Sequence, residues 1–160
     1  MPDGRKYLLH VLRDRCDGCM KCVYACARVK GVQDVPETAL LRVVGVDGGW
    51  DVVVCRHCSP APCVDVCEFN ALRVDEATGA VVLRRDLCTT CKACMAVCPF
   101  EAVFEGPGGA TLKCDLCGGD PECVKVCDRG ALIYEPVNSR SIRSLKTAVR
   151  ELELIRGLRG

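Results

Sequence analysis

Residues 88–99 read CTTCKACMAVCP: four cysteines at intervals of three, three and four, with a proline directly after the last. The same device occurs four times. Cys16, Cys19, Cys22 and Cys26 form the first group, and Cys55, Cys58, Cys63 and Cys67 the second. Cys88, Cys91, Cys94 and Cys98 form the third, and Cys114, Cys117, Cys123 and Cys127 the fourth. All 16 cysteines of the 160-residue chain fall in a group. Each group opens C-x2-C and closes C-x3-C; only the middle gap changes. An alanine and an aliphatic residue stand four and five positions after Cys67, Cys98 and Cys127, in EFNAL, PFEAV and DRGAL. The pattern predicts a repeated unit of cysteine loop, short helix and strand. The first group lacks this tail; Cys26 runs into ARVKGVQD.

Sulfur at this spacing suits a cubane iron–sulfur cluster, whose four irons each take one thiolate. Cysteines every third residue wrap three corners of one cube. The fourth cysteine, a helical turn further on, points away toward a second cube. Pro99 fixes the backbone just past the last ligand and ends local hydrogen bonding there. Structural zinc is the main alternative, since paired C-x2-C knuckles bind it. A tetrahedral zinc site has no use for a third cysteine at the same interval. The C-x3-C-x2-C triad of radical enzymes is absent. Disulfides need an oxidising compartment. The N-terminal MPDGRKYLLHVLRDRC shows neither the apolar run nor the cleavage site of a signal peptide, so the expected location is cytoplasmic. Export beside a signal-bearing partner stays open.

A net charge of +1 gives no basic footprint for nucleic acid, and no run of residues reaches the length of a membrane span. Aromatic residues are only 4% of the chain, so the cofactor itself must fill much of the interior. His57, between Cys55 and Cys58, is either a ligand or, as favoured here, a surface residue or one supporting a ligand from behind. Lys21, Arg56, Lys92, Lys113 and Lys125 lie in or beside the groups. They either raise cluster potentials or form a solvated surface.

Residues 7–15 read as a strand, and 39–54 and 71–83 as hairpins turning at Asp47–Gly49 and near Thr78–Gly79. Residues 104–114 read as a loop. Residues 138–160 carry Ile142, Leu145, Val149, Leu152 and Ile155 at helical spacing, an amphipathic helix covering this chain's sheet or a partner.

CRHCSPAPC and KCDLCGGDPECVKVC make residues 7–137 resemble the four-cluster ferredoxin-type electron-transfer subunits of molybdenum and tungsten enzymes, hydrogenases and carbon monoxide dehydrogenases. The fourth motif looks most like versions accompanying tungsten aldehyde oxidoreductases. The resemblance implies an α+β fold of two ferredoxin-like modules, one inserted in the other. The outer module would take residues 1–30 and 106–137, and the inner one 55–105. Residues 31–54 would connect them as a hairpin, and 138–160 would form the terminal helix. It implies four [4Fe–4S] clusters. One would be held by Cys16, Cys19, Cys22 and Cys127, and a second by Cys114, Cys117, Cys123 and Cys26. A third would be held by Cys55, Cys58, Cys63 and Cys98, and a fourth by Cys88, Cys91, Cys94 and Cys67.

The implied role is a non-catalytic wire to a tungsten or molybdenum pterin subunit, with a flavin or ferredoxin protein as further partner. A stand-alone polyferredoxin, or the wire of a hydrogenase or carbon monoxide dehydrogenase, is the alternative. The family usually has proline after each fourth cysteine. Here Ala27, Glu68 and Asp128 replace it at three groups. Glu68 and Asp128 are expected to lower potentials near them.

Overall fold

Short apolar runs broken by glycine and charge can build only short strands, and the computed structural model, which describes residues 7–137, is made of them. In chain order they are β1 (Tyr7–Val11), α1 (Lys21–Lys30), β2 (Leu41–Val46), β3 (Gly49–Val54), α2 (Pro62–Asp65), β4 (Leu72–Val74), β5 (Val81–Leu83), α3 (Ala93–Val97), β6 (Val103–Glu105), β7 (Thr111–Lys113), α4 (Glu122–Lys125) and β8 (Leu132–Pro136). The fold is α+β and ferredoxin-like. Strands pair antiparallel as β2–β3, β4–β5 and β6–β7, each with its neighbour in sequence. The exception is β1–β8, which joins Leu9 to Tyr134 across most of the chain. That pair brings the first cysteine group beside the fourth. Correspondingly α1 packs on α4, and α2 packs on α3.

The expected repeat is present. Each helix contains the third cysteine of its group, and β4, β6 and β8 follow the fourth cysteines. The alanines of the repeat, Ala71, Ala102 and Ala131, are buried just before their strands. Three residues after the fourth cysteine, Asn70, Glu101 and Gly130 all have positive φ, at 52°, 53° and 61°. The chain must reverse there to enter its strand. Only Gly130 does so without steric cost.

Two elements differ from expectation. The first strand stops at Val11, and the charged Arg13–Arg15 form a turn of 3-10 helix that swings the chain toward Cys16. Residues 104–114 are not a loop but the β6–β7 hairpin, whose GPGG tip hides two strands of three residues in the sequence. Thr111 and Leu112 are buried, and Gly106 accepts the Leu112 side chain over its backbone. The terminal helix expected over 138–160 lies outside the described residues.

The main core is small-residue rich. Leu9, Val23, Ala27, Leu41, Val54 and Leu116 pack with Cys22, Cys26, Cys55, Cys114 and Cys123. Arg42 closes one edge, stacked 4.4 Å over Phe104 while donating to the Ala39 carbonyl. Glu101→Gly should raise stability by about 0.5–1 kcal/mol, because the left-handed conformation no longer opposes a Cβ. An anaerobic melt followed by visible absorbance checks this; an unchanged or lowered midpoint would contradict the strain.

Candidate metal centres

The cysteine loops curl because residues between the cysteines take left-handed backbone conformations. Gly18 and Met20 have φ of 74° and 64°, and Thr90 and Lys92 have 56° and 64°, at matching positions of the first and third groups. His57, Leu116 and Cys117 do the same in the other two groups. Alternation of this kind turns successive N–H groups toward one side and forms a concavity for an anionic group, as at many iron–sulfur sites.

Three such concavities are cavities in the structure, and their linings cross the groups. Cys16, Cys19 and Cys22 share one with Cys127. Cys55, Cys58 and Cys63 share another with Cys98. Cys88, Cys91 and Cys94 share a third with Cys67. In these three cavities the fourth cysteine lies apart from its own group: Cys67, Cys98 and Cys127 each come just after their short helices, whereas Cys26 lies inside the longer α1. For the remaining four, the electrostatic neighbours of buried Cys123 include Cys26 and Cys117, and Cys114 counts Cys123 among its own. The first cavity is about 330 Å³. Four thiolates on one zinc ion converge to about 2.3 Å from a point and leave no such space. The donor sets and the first of these voids fit a cube.

The thiols are costly neighbours without metal. Burial, reinforced by Cys127, pushes Cys22 up to about 12. Burial and Cys26 push Cys123 up to about 12 as well, and burial takes Cys63 to about 11. Cys26, Cys94 and Cys114 are raised for the same first cause. Cys55 is the exception. Burial raises it too, but His57 and Lys113 outweigh that and bring it down to about 5. Backbone N–H groups already point at sulfur: Leu40 to Cys26 at 3.2 Å, His57 to Cys55 at 3.3 Å, Ala102 to Cys98 at 3.3 Å and Leu116 to Cys114 at 3.4 Å. Hydrogen bonds to the sulfurs are among the factors that set cluster potentials.

His57 is not at the surface. It is buried, and its Nδ1 accepts the Val81 N–H at 2.9 Å, which fixes the ring and ties the second group to β5. A second cysteine-flanking histidine would have looked identical in sequence; only β5 decides this one. The charged residues divide. Lys21 pairs with Asp128, Lys92 with Glu105, and Lys125 with Asp120 and Glu122, all exposed. Lys113 and Arg56 turn inward. Lys113 Nζ donates to Cys55 Sγ at 3.1 Å, the Val81 carbonyl at 2.5 Å and the Cys114 carbonyl at 3.2 Å. Burial alone would lower its ammonium, but the Cys55 sulfur facing it holds it above the usual lysine value. Glu68 and Asp128 are exposed, so water blunts the acidic influence expected of them.

Residues 49–136 match the 4Fe-4S dicluster domain. The chain belongs to that family. Dicluster chains of this kind are ferredoxin-type iron–sulfur proteins of electron transport, and the zinc alternative falls. The polyferredoxin-like subunit of an aliphatic sulfonate oxidoreductase from Pyrococcus furiosus is 41% identical over 87 residues, 54% of this chain and 50% of that protein. Hydrogenase-4 component A of Escherichia coli is 40% identical over 91 residues, 55% of this chain and 42% of that protein. Formate hydrogenlyase subunit 2 of Escherichia coli is 42% identical over 92 residues, 55% of this chain and 42% of that protein. The chain spans about half the length of these curated relatives or somewhat less. Among solved structures it is similar to a chain of the active site complex BamBC of benzoyl coenzyme A reductase as isolated. That likeness covers 89% of this chain and 87% of that one, at 21% identity and a TM-score of 0.47. Among the described residues no helix is long and apolar enough to cross a membrane.

Two expectations follow for this dicluster chain. Because burial holds the Cys22, Cys26, Cys63, Cys94, Cys114 and Cys123 thiols above their ordinary value, loading must expel protons from them. Iron binding to the apo chain should therefore strengthen as pH rises from about 6 to about 9, with proton release seen by calorimetry in buffers of different ionisation enthalpy. Loading indifferent to pH would contradict the raised thiols. Gly18 has no room for a side chain: a Cβ there would lie 2.4 Å from the Trp50 ring, and φ is positive. Gly18→Ala should cost about 1–3 kcal/mol and loosen the first loop. The fluorescence of Trp50, the single tryptophan, and iron content would both report it.

Proposed function

We propose that the chain is the electron-transfer subunit of an oxidoreductase complex, holding four [4Fe–4S] clusters and doing no catalysis itself. When bound, the clusters supply one-electron transfer. The chain's own residues hold them apart and electrostatically distinct. The proposed ligand sets are Cys16, Cys19, Cys22 and Cys127; Cys26, Cys114, Cys117 and Cys123; Cys55, Cys58, Cys63 and Cys98; and Cys67, Cys88, Cys91 and Cys94. The observation that carries this reading is the crossed lining of three cavities by three cysteines of one group and the last of another.

Residues 1–30 and 106–137 then form an outer module around an inner one of 55–105, with 31–54 as the connecting hairpin. Support comes from the β1–β8 pair and from the α1–α4 and α2–α3 packing. The sets also fall into a linear order. Cys22 and Cys123 interact, as do Cys114 and Cys55. α2 with Cys63 packs on α3 with Cys94. Cys19 and Cys91, in the first and last sets, are exposed, so both ends of the row reach the surface where partners dock.

The favoured partner is a tungsten or molybdenum pterin subunit of the aldehyde oxidoreductase type. The favouring observations are the KCDLCGGDPECVKVC motif and the likeness to a subunit of an aliphatic sulfonate oxidoreductase. The two Escherichia coli relatives, named for a hydrogenase and a formate hydrogenlyase, favour a hydrogenase partner as the second reading. A cytoplasmic location is proposed with either.

Anaerobically purified chain should contain four irons and four inorganic sulfides for each quartet of cysteines. Cys127→Ala should remove one quarter of the iron, from the set of Cys16 and not from that of Cys114. A colourless protein with a few zinc ions would overturn the reading. Purification at native expression, followed by tungsten, molybdenum and hydrogen-uptake assays of the co-eluting complex, separates the two partners.

A further inference from the structure

The four quartets do not sit in equal electrostatic surroundings. The cavity of Cys16 is rimmed by Asp17 and Asp128 as well as Lys21 and Arg129, and the opposite charges pair. In the Cys88 cavity the cation is Lys92, which pairs with Glu105. Beside Cys114 and Cys117, Asp115 is paired with Lys30 at 2.7 Å. The cavity of Cys55, Cys58, Cys63 and Cys98 is different: two cations, Arg56 and Lys113, line it with no carboxylate beside them. Asp51 acts on Arg56 and offsets part of its charge. Lys113 is 4% exposed, and its described partners are two carbonyls and the Cys55 sulfur, none of them a carboxylate.

Reduction adds one negative charge to a site that is already anionic. In a buried site water does little to soften that addition, so a fixed ammonium in contact with one ligand sulfur has a large effect. We propose that Lys113 makes the Cys55, Cys58, Cys63 and Cys98 site the one that takes the first electron, by holding an uncompensated positive charge against the Cys55 sulfur. The inference rests on the proposed ligand sets. It gives the chain a resting place for charge inside the row rather than at either exposed end. Lys113 is thus a positioning residue for electrons. Its bonds to the Val81 and Cys114 carbonyls hold the ammonium still, between β5 and the start of the fourth group.

The test is a potentiometric titration of the full anaerobic chain, with dithionite as the one-electron donor and electron paramagnetic resonance as the readout. Lys113→Gln keeps a donor for the Val81 carbonyl and removes the charge. It should lower the highest of the midpoints so that the reduced-to-oxidised ratio there falls at least tenfold, which is 59 mV for one electron, shift the Cys114 site, which Lys113 also faces, by less, and leave the other two in place. Lys113→Arg should keep the wild-type order. Full iron content with no midpoint moved, or all moved alike, would overturn the inference while leaving the ligand sets intact. Iron below four per quartet in the wild type would count against the ligand sets instead. If both variants lose iron, Cys58→Ser decides. The first-reduced signal should then shift or vanish, and its persistence unchanged would overturn the proposal.

Discussion

Sulfur atoms crowded in quartets repel one another as thiolates and resist ionisation as buried thiols. Everything else in this chain is arranged around that conflict. Burial and neighbouring sulfurs drive Cys22, Cys63 and Cys123 far above ordinary thiol values. Only cations placed among the sulfurs relieve it, which is why metal binding and folding are one free energy in such proteins. The left-handed turns of the cysteine loops are the backbone's contribution, aiming N–H groups where negative charge will gather.

The thin aromatic content follows from the same constraint. The interior is occupied by cysteine sulfur and what it holds, so the side chains between need only be small. Alanine recurs where helix meets strand, and valine and leucine cover the hairpins. Such a core has little apolar area of its own to bury, as expected of a chain whose stability is tied to its cofactor. Strands of three to six residues suffice, because each hairpin has only to brace a loop.

Charge is distributed with equal economy. Lys21, Lys92 and Lys125 spend their charge on exposed carboxylates, where water screens them. Lys113 sits where screening fails. One position before a cysteine, on a strand the sequence does not reveal, it reaches across to a different group and touches Cys55. In a low-dielectric interior one such residue outweighs several at the rim.

The cysteine spacing by itself determined the cofactor, the number of repeated units and the helix at each third cysteine, since thiolate reach and helical pitch are local properties. Contiguous turns and β-branched flanks likewise determined the β2–β3 and β4–β5 hairpins. Tertiary structure decided what depends on distant partners. The GPGG stretch conceals β6 and β7, which exist because Leu112 and Thr111 have somewhere to be buried. His57 is internal because the Val81 N–H needs an acceptor. Which cation faces sulfur and which faces water was undecidable from the five similar positions of four lysines and Arg56, because burial is set by the strands that pack over a side chain and not by its neighbours in sequence.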